Sequence, residues 1–249
     1  MLYYRTPVCR FLLSCVLFIL IAGQCFANKK PTRVLIFSKV YKSYRHVKTA
    51  ECVAALKVLL ETNGMKADTT ENDSVFTAKG LKPYRVLIFL NTAGDVLNSD
   101  EQQALVDFIH NGGGFVGLHA ASATLKNWPW FGGLVGAVLK HDQSPVPATV
   151  HVVDAKHPST RGLPDTWVHT DQWMEFREPP KDVNILITVD GTSLTGYATM
   201  TNAYPVSWCH EYEGGRAFYT SMGHENYYSE PEFGKHILGA VRWAAGYNK

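Results

Sequence analysis

The chain has 249 residues, 46% of them hydrophobic and 18% charged, with 24 basic and 22 acidic side chains and a formal charge of +2. This composition excludes a disordered or fibrous chain, and the near balance of charge argues against a general nucleic-acid binder, which carries a basic excess. The length fits one large domain or two small ones.

Residues 1–27 read as a secretory signal peptide. Arg5 and Arg10 form a basic start, Phe11 to Gly23 is an apolar run of 13 residues, and Cys25-Phe26-Ala27 is a small-x-small cleavage site. The run is short for a spanning helix, so an uncleaved anchor is the lesser alternative. Gln24 before Cys25 disfavours a lipoprotein. Arg5 and Arg10 are the only charged residues of this segment, so residues 28–249 carry 22 basic and 22 acidic side chains. The expectation is one exported domain, periplasmic or extracellular, with no stable membrane insertion after cleavage. Only Cys52 and Cys209 remain in it, too few for a disulfide framework, and both sit in patterned segments that suit buried thiols.

Arg33 to Ser38 (RVLIFS) is a short apolar run and predicts a buried strand. Tyr44 to Asn63 has helical spacing and stops at Asn63-Gly64. A short strand follows near Lys66 to Thr69, and Arg85 to Asn91 nearly repeats the first strand. Ser99 with Gln102 three residues on fits a capping box, opening a helix to His110. Phe115 to Leu118 is the next buried strand. Strand and helix alternating at this spacing means βαβ units and a parallel sheet with right-handed crossovers. After Trp128 the pattern changes. Ala148 to Asp154 and Asn184 to Asp190 are strands, Pro205 to Tyr212 and Arg216 to Ser221 flank a hairpin turn, and Pro231 to Ala245 is a final helix.

In open parallel sheets, ligands bind at the carboxyl ends of the strands. That rule selects four loops: Ser38 to His46, Asn91 to Asp95, Gly117 to Ser122, and Gly223 to Asn226. Around His119, a strand followed by Gly-x-X-x-small has the shape of a nucleophile elbow. Gly117 and Ala121 are small enough for the bend. A histidine at the apex is a poor acyl nucleophile but a good base, hydrogen-bond donor or metal ligand. His224 can approach it if both strands lie at the sheet centre. His46 is read as acting from the first helix turn, where anions are favoured. Asp171, Trp173 and Glu175 share one face at strand spacing, which suits a sugar: rings stack on Trp and hydroxyls bond carboxylates. The bland alternative for that group is a solvated strand face. No HExxH motif or tight His/Cys cluster signals a metal, and a divalent ion stays open with His119, His141, His210 and His224 as candidate ligands. His110, His151, His169 and His236 read as ordinary surface or core residues.

Several blocks, in order, carry a family resemblance. They are Tyr44-Arg45-His46, Phe89-Leu90-Asn91-Thr92, Asn111 to Ala121 (NGGGFVGLHAA), Trp128 to Gly133 (WPWFGG), His157-Pro158-Ser159-Thr160, Thr170 to Trp173 (TDQW), Trp208 to Glu211 (WCHE) and Gly214 to His224. Together they resemble the ThuA-like (trehalose utilisation) family over about Arg33 to Gly246. The resemblance implies an α/β, flavodoxin-like fold of the class I glutamine amidotransferase type: a mostly parallel sheet, helices on both faces, antiparallel additions. That superfamily has Cys at the elbow and a later His-x-Glu. Here His119 stands at the elbow and Glu225 follows His224 directly, which argues against amidotransfer. The resemblance also implies a sugar substrate, including 3-keto-glycosides made by an upstream sugar oxidoreductase.

The functional expectation is therefore sugar chemistry by His-based acid/base or metal-assisted steps. His119 and His224 are the candidate catalytic pair. Arg45, His46, Asn91, Thr92, Asp95, Ser122, Trp128, Asp171, Trp173, Glu175, His210 and Asn226 are candidate substrate-binding residues. A sugar-binding protein without turnover and a metal-dependent hydrolase are the alternatives.

Overall fold

The computed structural model describes residues 31–142, 144–194, 203–225 and 227–247. The expected leader at 1–27 and the expected site residue Asn226 lie outside them. Among the described residues, no helix is long and apolar enough to cross a membrane.

The first half alternates β1 (Arg33–Phe37), α1 (Thr49–Thr62), β2 (Lys66–Thr70), α2 (Ala78–Leu81), β3 (Val86–Leu90), α3 (Ser99–His110) and β4 (Gly114–Leu118). The second half holds α4 (Pro129–Val135), β5 (Leu139–Asp142), β6 (Val146–Val152), β7 (Thr166–Asp171), β8 (Met174–Phe176), β9 (Asn184–Val189), β10 (Tyr204–Tyr212), β11 (Gly215–Thr220) and α5 (Pro231–Ala244). A nine-stranded sheet runs β2-β1-β3-β4-β11-β10-β9-β6-β7. β2, β1, β3, β4 and β11 are parallel, and β10, β9, β6 and β7 continue antiparallel.

β3 and β4 are buried at every residue, and β1 at all but its first. Their unbroken apolar runs follow from being covered on both faces. The β1→β2 and β3→β4 crossovers step in opposite directions across the sheet, so right-handed connections put α1 and α3 on opposite faces. α5 packs against α1, and α2 against α3. The strand order turns at β1, flanked by β2 and β3, which is where open α/β sheets form a ligand crevice.

Four local expectations change. The helix begins at Thr49, not Tyr44: Thr49 sends both its backbone N–H and its hydroxyl to the His46 carbonyl, so Tyr44 to His46 remain a loop. The capping box belongs to Asn98 and Glu101, one residue upstream of the pair read from the sequence. The elbow, whose strand-turn-helix form would open a helix, leads into a single 3-10 turn, His119–Ala123. Finally, Asp171 ends β7 in the main sheet while Glu175 lies in β8, which pairs only with β5 in a separate two-stranded sheet. Asp171, Trp173 and Glu175 therefore do not share one strand face.

Candidate functional site

β4 and β11 are neighbours at the middle of the sheet, with Leu118 opposite Thr220. The chain leaves both at the same edge, which brings His119 and His224 together. The β1 loop supplies His46. The three imidazole rings pack edge to face, with centroids 4.8 Å (His46–His119), 5.0 Å (His46–His224) and 5.3 Å (His119–His224) apart. One donor atom from each lies within 4.8 Å of the other two.

His119 holds a left-handed backbone at φ +50°, rare for a residue with a Cβ, and this is the strained elbow expected after β4. Gly117 permits it: a Cβ there would sit 3.0 Å from the Tyr219 ring and 3.3 Å from the Ala121 methyl. The Tyr219 hydroxyl lies 2.8 Å from the His119 carbonyl and 2.9 Å from Ser122 Oγ, tying the turn to β11. His119 is fully buried and its Nδ1–H donates to the Ser221 carbonyl at 2.7 Å. Burial lowers its pKa, against the opposing pull of Asp171. The neutral tautomer thus carries its lone pair on Nε2, 3.2 Å from the Gln172 carboxamide, which must turn its NH2 to that nitrogen. His46 is also buried, and burial, with repulsion from His119 and His224, holds its pKa at about 3.

Asp171 organises the other side. It is fully buried, and its oxygens accept the backbone N–H groups of Gly223 (2.7 Å), His224 (3.1 Å) and Gln172 (2.8 Å), with His169 Nε2 3.1 Å away. Burial alone would push the carboxyl up. The His169 hydrogen bond, the nearby His119 and the Gly223 N–H outweigh it, so the pKa is lowered and the group is an anion. Asp171 shapes the His224 loop instead of facing a ligand.

Unpartnered polar atoms concentrate at this edge. His46 Nδ1, both amide atoms of Asn91, Ser221 Oγ, His224 Nδ1 and Tyr228 Oη are buried with no hydrogen-bond partner among the described residues; Arg33 Nε and His210 Nδ1 are the others of that kind. Asn91, itself at φ +51°, follows β3 beside Leu118, whose carbonyl accepts its N–H at 3.3 Å.

Other expected residues sit elsewhere or are engaged in the fold. Trp173 is buried in the core with Nε1 donating to the Val146 carbonyl, so it offers no face to a sugar. Glu175 is buried and paired with Lys140 at 3.0 Å. Thr92 bonds Thr124, and Ser122 meets Tyr219 and Met174 inside the protein. Arg45 is on the surface in a two-point pair with Glu71, Asp95 is exposed, and Trp128 stacks on Trp130. His210 pairs with Ala217, three residues along β10 from Ser207 at the site edge, about 10 Å away by strand rise. Its Nε2–H donates to the Gly133 carbonyl. His141 is exposed in β5, opposite Glu175. Among the four candidate ligands read from the sequence, only His119 and His224 join the cluster, and His46 completes it. Gln172 and His169 were missed; their signal was adjacency to Asp171, which carries weight only once that carboxylate is known to be buried.

The fold has relatives among solved structures. A protein from Bacteroides uniformis ATCC 8492, described as ThuA-like, is 29% identical over 87% of this chain and 92% of its own, with a TM-score of 0.73. A protein from Parabacteroides merdae ATCC 43184, also described as ThuA-like, is 20% identical over 87% and 91%, with a TM-score of 0.72. A glutamine amidotransferase from Thermotoga maritima shares the fold at 14% identity, over 86% and 98%, with a TM-score of 0.50. No curated protein matches the sequence. The family described as "Trehalose utilisation" matches residues 33–244, from the first residue of β1 to the last of α5, and the chain belongs to this ThuA family.

Proposed function

We propose that the protein acts on a sugar of the trehalose or glucoside type, most aptly its 3-keto derivative, at the edge formed by His46, His119 and His224. The observation that carries this reading is the concentration of unpartnered buried polar atoms around three imidazoles. Such atoms are costly unless a ligand or water meets them. A hydroxyl-rich, uncharged ligand offers matching donors and acceptors. Tyr44, 67% exposed and edge-on to His46 at 5.2 Å, takes the stacking role first assigned to Trp173.

A C3 carbonyl acidifies the adjacent C2–H. His119 Nε2 takes that proton and the electron pair passes to the carbonyl oxygen. Collapse of the enolate expels the C1 oxygen, which takes a proton from His224, so the step is an elimination. Its substrate comes from an oxidoreductase that converts the C3 hydroxyl to the ketone. The basic, apolar leader supports placing this chemistry outside the cytoplasm.

Mass spectrometry of the protein incubated with trehalose, oxidised trehalose and simple glucosides tests the reading. The oxidised sugar should be consumed by wild type and not by His119→Gln. If wild type and variant are equally inert while both bind sugar, the protein is a binding module without turnover.

A further inference from the structure

We propose that His46, His119 and His224 bind a divalent transition-metal ion of the zinc class. They are the one group of three or more His, Cys, Asp or Glu side chains among the described residues whose donor atoms converge, all within 4.8 Å. A tetrahedral ion about 2.0–2.1 Å from each nitrogen would hold the three roughly 3.4 Å apart. The widest pair would close by a little over 1 Å, within the reach of side-chain rotation.

The surroundings resemble those of a ligand set more than those of a packed aromatic trio. His119 gives its Nδ1–H to a backbone carbonyl, the usual outer contact of a metal-bound imidazole, and this aims the Nε2 lone pair inward. His224 is held by its backbone on Asp171. His46 and His224 each keep a buried Nδ1 without a partner among the described residues, and edge-to-face packing does nothing for such an atom. Imidazole nitrogens select zinc, cobalt, nickel or copper over magnesium and calcium. Three protein ligands also leave a position open for water or substrate, as in catalytic sites. The Gln172 carboxamide, 3.2 Å from His119 Nε2, meets that lone pair in the metal-free protein and has to turn aside for the ion. With the ion bound, His119 Nε2 is a ligand and no longer the base, so on the sugar reading above the ion would polarise the C3 carbonyl and a water held at its open position would do the proton transfer; the metal site itself does not depend on that reading.

Full-length protein, stripped with chelator and titrated with Co(II), should take up about one ion per chain and develop the ligand-field bands of a low-coordinate nitrogen site. Saturating Zn(II) should raise Tm by roughly 5–10 °C. His46→Ala, His119→Gln and His224→Ala should each weaken binding by about 100-fold or more, beyond the loss typical of an outer contact. His141→Ala should bind like wild type, and far-UV circular dichroism checks that the variants fold. Absence of uptake, bands and Tm shift in wild type overturns the proposal without recourse to any variant, as does His119→Gln binding as tightly as wild type. Metal bound without action on any sugar would sink the sugar reading alone; a protein that turns over the sugar yet takes up no Co(II) or Zn(II) would sink the metal alone.

Discussion

Asp171 holds His224 by the backbone: its Oδ1 accepts the His224 N–H at 3.1 Å, while its Oδ2 accepts the neighbouring Gly223 N–H at 2.7 Å. Gly223 is at φ +113°, so the carboxylate stabilises a turn that other residues enter poorly. Replacing Asp171 by Ala takes the acceptor from the buried Gly223 N–H, the part-buried Gln172 and His224 N–H groups and His169 Nε2, and should cost about 3 kcal/mol in urea denaturation. Asp171→Asn keeps one acceptor but sets an NH2 against another donor, so it should fall between Ala and wild type. An Ala variant as stable as wild type would show that the turn holds itself.

The elbow rests on a missing side chain. A Cβ at Gly117 meets Tyr219, Phe115 and Ala121 at 3.0 to 3.3 Å, and none of the three can give way, since all are buried and Tyr219 is tethered through its hydroxyl. Gly117→Ala should destabilise by about 1–3 kcal/mol and disturb the His119 site. Thermal denaturation reads the first effect, and Co(II) binding or sugar turnover the second.

Tyr219→Phe isolates the tether. The ring still packs, but the His119 carbonyl and Ser122 hydroxyl lose their partner. The expected loss is about 1–2 kcal/mol, a fall in Tm of roughly 3–6 °C. An unchanged Tm would mean that water replaces the hydroxyl without penalty.

Two buried histidines outside the site give stability a pH dependence. Burial lowers the pKa of His157 to about 4 and of His236 to about 4. His236 donates from Nδ1 to the Ser159 carbonyl and meets Ser207 through Nε2. An unfolded histidine titrates near 6.5. Between about 4 and 6.5 the unfolded chain therefore binds more protons, and stability drops as pH falls through that window. The contribution is complete above 6.5 and amounts to about 3 kcal/mol at most for the fully buried His236. Urea titrations at successive pH values should show a shallower slope for His236→Gln, by close to one proton. An unaltered slope would remove His236 as a source.

The parallel half of the sheet was legible because β1, β3 and β4 are buried on both faces, and burial writes itself as an unbroken apolar run. The elbow was legible through Gly117 and Ala121, and His119 and His224 through the rule that ligands gather at strand ends. What failed depended on facts of pairing. His210 leaves the site because of its register against β11, which no local pattern encodes. Asp171 and Trp173 look like a recognition face until β7 ends between them and both are buried. His46 entered as a helix-start residue, whereas it is the loop before Thr49 that swings it against the other two rings.

The placement of β11 has a consequence for biosynthesis. It inserts beside β4, yet Tyr219 is 100 residues downstream of His119 in the chain. Until the ribosome has delivered that segment, one flank of β4 is a bare apolar strand with free amides. Such an edge invites pairing with foreign chains. The nascent protein should need a holdase during that interval, and truncation before Gly215 should produce aggregates instead of a smaller folded unit.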